Sequence, residues 1–212
     1  MLISTDSVNA TTARIAVLGD SLVQGYGLHP DEGLVPQLEA WLVEKGVNAA
    51  LINAGVSGDT TAGGLARLDW TLSDDVDALI VSLGANDALR GIDPSVSLSN
   101  LGAILQEANA RHIPILLIGI AAPGNYGPDY ASEFNAMFPT LSKTFGTLLY
   151  PDILQPLTEL PDRTATLAQY FQPDGLHPNV DGVKLITNAI GPYVAELAKL
   201  AAQNASSPES NH

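Results

Sequence analysis

The sequence predicts an α/β fold in which a parallel sheet is flanked by helices. Short apolar runs alternate with longer segments whose apolar residues recur at helical spacing, the pattern of strands joined by crossover helices. The run Ala78–Leu83 is apolar on both faces, as a strand in the middle of a parallel sheet must be. At 212 residues the chain can bury one sizeable core, and it shows neither a repeat nor an interior linker that would call for two domains.

The elements follow in order. The first strand is read over about Arg14–Leu18, ending at Gly19 with Ser21 two residues beyond. Leu34, Leu38, Trp41 and Leu42 then mark a helix that Lys45-Gly46 stops. Ala50–Asn53 is the second strand, and Asp59-Thr60-Thr61 caps a helix carrying Leu65, Leu68 and Leu72. After the third strand, Asp93-Pro94 supplies a cap and a first-turn proline for a helix reaching about Arg111. Ile115–Ile120 is the fourth strand. The Gly/Pro/Asn-rich loop Ala122–Asp129 leads into a helix over about Tyr130–Phe145, expected to bend at Pro139.

Thr147–Tyr150 is a candidate fifth strand. Residues 151–173 read as irregular; a loop of that length is functional or conceals a short helix. The closing helix spans Asn179–Leu200, apolar at Val183, Ile186, Ile190, Val194 and Leu197, with a kink expected at Pro192. The ordered core is expected over about residues 14–200, with a polar arm at 1–12 and a Ser/Asn-rich tail at 205–212.

Composition narrows the function. A net charge of −14 with only nine Lys and Arg argues against nucleic acid, whose phosphates need clustered cations, and against anionic membrane surfaces. The acid excess can serve solubility or salt tolerance. With no cysteine there are no disulfides, thiolate metal sites or Cys nucleophiles. Residues 1–13 lack the features of a signal peptide, and no apolar run is long enough for a membrane span. The expected location is cytoplasmic for the chain as written, and periplasmic or secreted if it is a processed or trimmed form. The expected assembly is a monomer or small homo-oligomer.

Four loops pair an unusual polar residue with a glycine: Gly19-Asp20-Ser21, Asn53–Asp59, Gly84-Ala85-Asn86-Asp87 and Asp174-Gly175-Leu176-His177-Pro178. Singly, each reads as a turn or a helix cap. Together they would meet at the carboxyl ends of the strands, where ligands bind in open α/β sheets. There they supply acyl-transfer chemistry. The Ser21 hydroxyl needs a base, for which His177 is the candidate, and Asp174 can hold the other imidazole nitrogen. Oxyanion donors are the Ser21 and Gly58 backbone N–H groups and the Asn86 amide. Glycine at 58 admits close approach of backbone to substrate.

These four blocks, in this order, resemble the SGNH/GDSL hydrolases. The matching stretches are Gly19-Asp20-Ser21-Leu22, Gly58 within Asn53–Asp59, Gly84-Ala85-Asn86-Asp87 and Asp174-Gly175-Leu176-His177, and the resemblance covers roughly residues 14–200. It is nearest to the bacterial multifunctional thioesterase/lysophospholipase/arylesterase branch, on the stretches Ser57–Leu68, Asn86–Gly91 and Ala122–Gly127. It implies a three-layer α/β/α sandwich on a flavodoxin-like five-stranded parallel sheet, without metal or cofactor. It further implies a triad of Ser21, Asp174 and His177, and an oxyanion hole of Ser21, Gly58 and Asn86. The α/β-hydrolase elbow Gly-x-Ser-x-Gly does not fit, because Val occupies position 23.

The remaining polar residues carry other assignments. Asp20 and Asp59 serve as caps or tune the site, Asp87 braces its loop, and Arg67 and Arg90 brace loops or clamp a carboxylate. Leu89, Ile92, Pro123 and Tyr126 are candidates for an acyl-chain wall. The expected activity is serine-esterase hydrolysis of carboxylic esters with short- to medium-chain acyl or aryl groups, extending to thioesters or lysophospholipids. Two alternatives stand beside it: carbohydrate O-deacetylation by the same residues, and a non-catalytic flavodoxin-like module holding a phosphate or nucleotide. The second lacks a Gly-x-x-x-x-Gly-Lys-Ser/Thr loop or a Gly-x-Gly-x-x-Gly fingerprint.

Overall fold

The computed structural model describes residues 12–73 and 75–206. Nearly all of the polar arm and tail expected at the two ends lies outside them. Five strands, β1 (Ala13–Gly19), β2 (Ala49–Gly55), β3 (Ala78–Ser82), β4 (Ile115–Ile118) and β5 (Leu148–Tyr150), form one sheet in the order β2-β1-β3-β4-β5. Every pairing is parallel. Gly19 pairs with Gly55 on one side and Ser82 on the other, so β1, β2 and β3 release their following loops at one level.

Alternate strand residues face opposite layers. Ile15, Val17, Ile80, Leu116 and Ile118 pack with Leu34, Leu38 and Leu42 of α2 (Leu34–Glu44) and with Ile186, Ile190, Val194 and Leu197 of the closing helix (Val180–Ser206). Ala16, Leu18, Leu79, Val81 and Leu117 pack the other way. They meet α6 (Pro94–Ala110) through Leu101, Ile104 and Leu105, and α7 (Pro128–Phe145) through Phe134, Phe138 and Leu141. The result is helix, sheet, helix. No helix among the described residues is long and apolar enough to cross a membrane.

Several elements depart from their expected bounds. Asp93 caps α6 through Ser95 N–H at 2.8 Å, with Pro94 at the first position, as read. The single helix expected after Asp59 is two, α3 (Thr61–Ala66), capped by Thr60, and α4 (Leu68–Thr71). They divide at Arg67, whose guanidinium is drawn to Asp59 and to the Gly19 carbonyl. β4 stops at Ile118: Gly119 N–H still donates to the Tyr150 carbonyl, but Gly119 O accepts from Ile153 N–H, beyond the end of β5. The stretch 151–173 holds two helices, α8 (Gln155–Thr158) and α9 (Arg163–Tyr170). The closing helix, α10, is entered through Asn179, whose Oδ1 accepts from Asp181 and Gly182 N–H, and it runs past Leu200 to Ser206. Two one-turn helices, α1 (Ser21–Gln24) and α5 (Ala85–Arg90), follow β1 and β3 directly.

Candidate active site

At the end of β1, a Cβ on Gly19 would run into the Val23 side chain, so glycine permits the tight exit from the sheet. Asp20 caps α1 by accepting Leu22 N–H at 3.0 Å, and Gly25 ends that turn at φ 85°. Ser21 is therefore the first residue of a one-turn helix pinned at both ends, and it is nearly buried.

The partner loop comes from 156 residues downstream, yet His177 Nε2 lies 2.9 Å from Ser21 Oγ. His177 Nδ1 lies 2.6 Å from Asp174 Oδ2. The two oxygens of Asp174 divide their work. Oδ1 accepts Leu176 and His177 N–H at 2.9 and 3.0 Å and so builds the turn, while Oδ2 holds the imidazole. Gly175, at φ 65°, lets the chain fold back between them. The His177 N–H, the His177 ring and the Leu176 N–H hold the Asp174 carboxyl down at about 2. An ionised carboxylate only accepts, so it fixes Nδ1 as the protonated nitrogen and leaves Nε2 free to take the Ser21 proton.

The two loops are clamped together. Gln172 Nε2 donates to Tyr26 O at 2.8 Å and to Pro178 O at 3.0 Å, bridging the loop after Ser21 to the end of the His177 loop. Gly27, at φ 73°, leaves the space that the Gln172 side chain fills.

Gly58 and Asn86 line the same cleft as Ser21 and His177. Gly58 sits at φ 83°, and its carbonyl is held by Arg90 Nη2 at 2.9 Å. Asn86 Nδ2 donates to Asp59 O at 2.9 Å and stands 3.5 Å from Asp20 Oδ2. Among the described residues the backbone N–H groups of Ser21 and Gly58 have no protein acceptor. Arg67 bolts these blocks together, with Nε 2.6 Å from Asp59 Oδ2 and Nη2 2.9 Å from Gly19 O. Asp87, fully buried, accepts from Thr61 N–H, Thr61 Oγ1 and Ser97 Oγ at 2.8, 2.6 and 2.9 Å and anchors α5 to α3 and α6. Burial pushes the Asp20 carboxyl up to about 6, against the opposing pull of Leu22 N–H and the charge of His177.

Of the four residues expected to form an acyl wall, Leu89 and Pro123 line the cleft; Ile92 and Tyr126 do not. Tyr126 lies against Gly91, where a Cβ would meet its ring, and its hydroxyl donates to Leu89 O at 3.1 Å. Ile92 O accepts from Tyr130 Oη at 2.9 Å. Those contacts brace the rim from behind. The cleft instead gains Leu154, Leu157, Leu160, Leu167 and Phe171 from the α8–α9 segment. Their trace in the sequence is the three-residue spacing Leu154, Leu157, Leu160 within a stretch read as irregular. Among the described residues no three His, Cys, Asp or Glu side chains gather to hold a metal.

The family model described as the GDSL-like lipase/acylhydrolase family matches residues 17–185. Esterase TesA of Pseudomonas aeruginosa is 36% identical over 170 residues, covering 80% of this chain and 81% of that protein. Thioesterase 1/protease 1/lysophospholipase L1 of Escherichia coli strain K12 is 35% identical over 181 residues, covering 84% of this chain and 82% of that one. Among solved structures, AlinE4, an SGNH-hydrolase family esterase, is 40% identical, covers 87% of this chain and 96% of its own, and superposes with a TM-score of 0.70. The crystal structure of TesA is 32% identical with a TM-score of 0.78, covering 87% and 99% of the two chains. With its sheet order and layers those of the SGNH-hydrolase fold, this chain belongs to the GDSL-like lipase/acylhydrolase family.

Proposed function

We propose that the protein is a serine esterase that hydrolyses carboxylic esters through an acyl-enzyme. The observation that carries this reading is the continuous line from Ser21 Oγ through His177 to Asp174, at 2.9 and 2.6 Å, opening onto an apolar cleft. His177 Nε2 takes the hydroxyl proton as Ser21 attacks the ester carbonyl, then returns it to the departing alcohol. A water repeats the sequence on the acyl-enzyme. The negative oxygen that forms in each half faces the Ser21 and Gly58 N–H groups and one N–H of Asn86, whose other N–H is held by Asp59 O. Asp174 stays ionised throughout and stabilises the imidazolium.

The leucines of the α8–α9 wall favour a hydrocarbon acyl chain over a sugar, which sets carbohydrate O-deacetylation second. Thioesters and lysophospholipids are further candidate substrates, given what the similar proteins are named for. The test is Ser21→Ala. It is expected to abolish hydrolysis of p-nitrophenyl acyl esters and labelling by a fluorophosphonate while leaving circular dichroism unchanged. Near-normal turnover by that variant would overturn the reading.

A further inference from the structure

The cleft beside Ser21 and His177 has a volume of about 760 Å³ and reaches to α8 and α9. No Asp or Glu lines it, although the chain carries 23 acidic residues against nine basic ones. The one Lys or Arg on its walls is Arg163, the first residue of α9. Arg14, Arg67, Arg90 and Arg111 each donate to a backbone carbonyl. The Arg163 guanidinium has no ion pair or hydrogen-bond partner among the described residues.

The polar groups nearest to it in the chain are engaged elsewhere. Asp162 Oδ1 accepts Ala165 N–H at 3.0 Å, and Glu159 Oε1 accepts from the Gln155 amide at 2.7 Å. Thr158 and Thr166 also line the cleft, but their hydroxyls donate to the Gln155 and Asp162 carbonyls. On this wall, then, the guanidinium is the polar group left to meet a ligand. Its fork matches a carboxylate with two parallel hydrogen bonds, from an exposed position on the cleft's rim.

We propose that Arg163 receives an anionic group of the substrate, so that the preferred esters carry a carboxylate remote from the scissile carbonyl. This rests on the esterase reading above. An acidic molecule repels anions over most of its surface. A cleft free of carboxylates with a single unpaired cation admits them, and it disfavours neutral chains of the same length only by lacking that contact. Arg163 is exposed, and an exposed ion pair corresponds to about a 2–5-fold preference.

The experiment compares kcat/KM for p-nitrophenyl alkanoates with that for mono-p-nitrophenyl esters of dicarboxylic acids matched in length, from adipate to sebacate. A second arm places the carboxylate on the alcohol, comparing carboxyphenyl with phenyl alkanoates; the two arms tell which end of the ester the anion occupies. The wild type is expected to favour the anionic member of at least one pair at least threefold, with the advantage shrinking as salt rises. Arg163→Gln should remove the preference, Arg163→Glu should invert it and Arg163→Lys should keep part of it, each read as the ratio of anionic to neutral ester within one protein so that any common change in turnover cancels. Equal ratios in the wild type and Arg163→Glu in both arms would overturn this assignment and leave the esterase reading standing. Failure to hydrolyse the neutral esters as well would bring down both.

Discussion

The Tyr26 ring lies against the His177 imidazole, their centroids 4.6 Å apart and their planes inclined by 37°. Tyr26 belongs to the loop after Ser21, and Gln172 ties its carbonyl to that of Pro178 beyond His177. One aromatic face therefore limits how far the imidazole can swing from Ser21, and it favours the ring when it carries charge. Such contacts contribute about 0.5–1 kcal/mol where half exposed. Tyr26→Ala is expected to lower kcat about 2–5-fold, and Tyr26→Phe to leave it near normal. Equal kcat for all three proteins would show the contact to be incidental.

Asn86 lines the cleft from α5, and one N–H of its amide donates to Asp59 O. Asn86→Ala should reduce kcat by about 100–1,000-fold, as loss of an oxyanion donor does elsewhere. KM should hardly move, because the contact tightens only as charge develops. Steady-state kinetics on one p-nitrophenyl ester decides it; a pure KM effect would contradict the assigned role.

Asp20 has a pH signature of its own. Its folded carboxyl titrates at about 6 against 3.8 for a free aspartate, so between those values the folded protein binds more protons than the unfolded one. This group's contribution is thus most favourable below about 4 and declines as pH rises to 6. Asp20→Asn keeps an oxygen to cap Leu22 and avoids burying a charge. It should be more stable than the wild type at pH 8, by about 1–3 kcal/mol, and lose that advantage towards pH 4. Its amide would face Asn86 Nδ2, donor to donor, so kcat should fall. Urea titrations at the two pH values test the sign.

Arg67 and Asp59 form a largely covered ion pair at 2.6 Å, and Arg67 also satisfies the Gly19 carbonyl. Arg67→Met would strand a carboxylate close to Asp20, costing about 1.5–3 kcal/mol. Arg67→Lys should recover a fraction of that loss, since an ammonium restores charge without the fork. Unfolding midpoints of the three proteins give the answer.

Legibility in the sequence followed the range of the forces. α6 was readable end to end because Asp93 and Pro94 act on their own helix, and β3 because its five residues are buried whichever way they point. The one-turn helices α1 and α5 escaped notice, being too short for periodicity and held by single capping contacts and by the bonds Asp87 makes to other segments. The split at Arg67 likewise depends on a partner 48 residues away. Ser21, Gly58, Asn86, Asp174 and His177 stood out because each lies in a glycine-bearing polar break after a strand or before a helix. The cleft wall did not. Ile92 and Tyr126 have the right chemistry but turn to Tyr130 and Leu89, whereas the α8–α9 leucines reach the site through packing that no local pattern announces.

β1 is hydrogen-bonded along both edges, to β2 and β3, and every residue of it except Arg14 is buried. α9, by contrast, buries only Thr166. The support beneath Ser21 therefore yields only when the whole domain opens, while the far wall of the cleft can fray by itself at little cost. On warming, the enzyme should grow indiscriminate before it grows idle, because its choice of acyl group is written in the looser half of the molecule and its bond-breaking in the stiffer one.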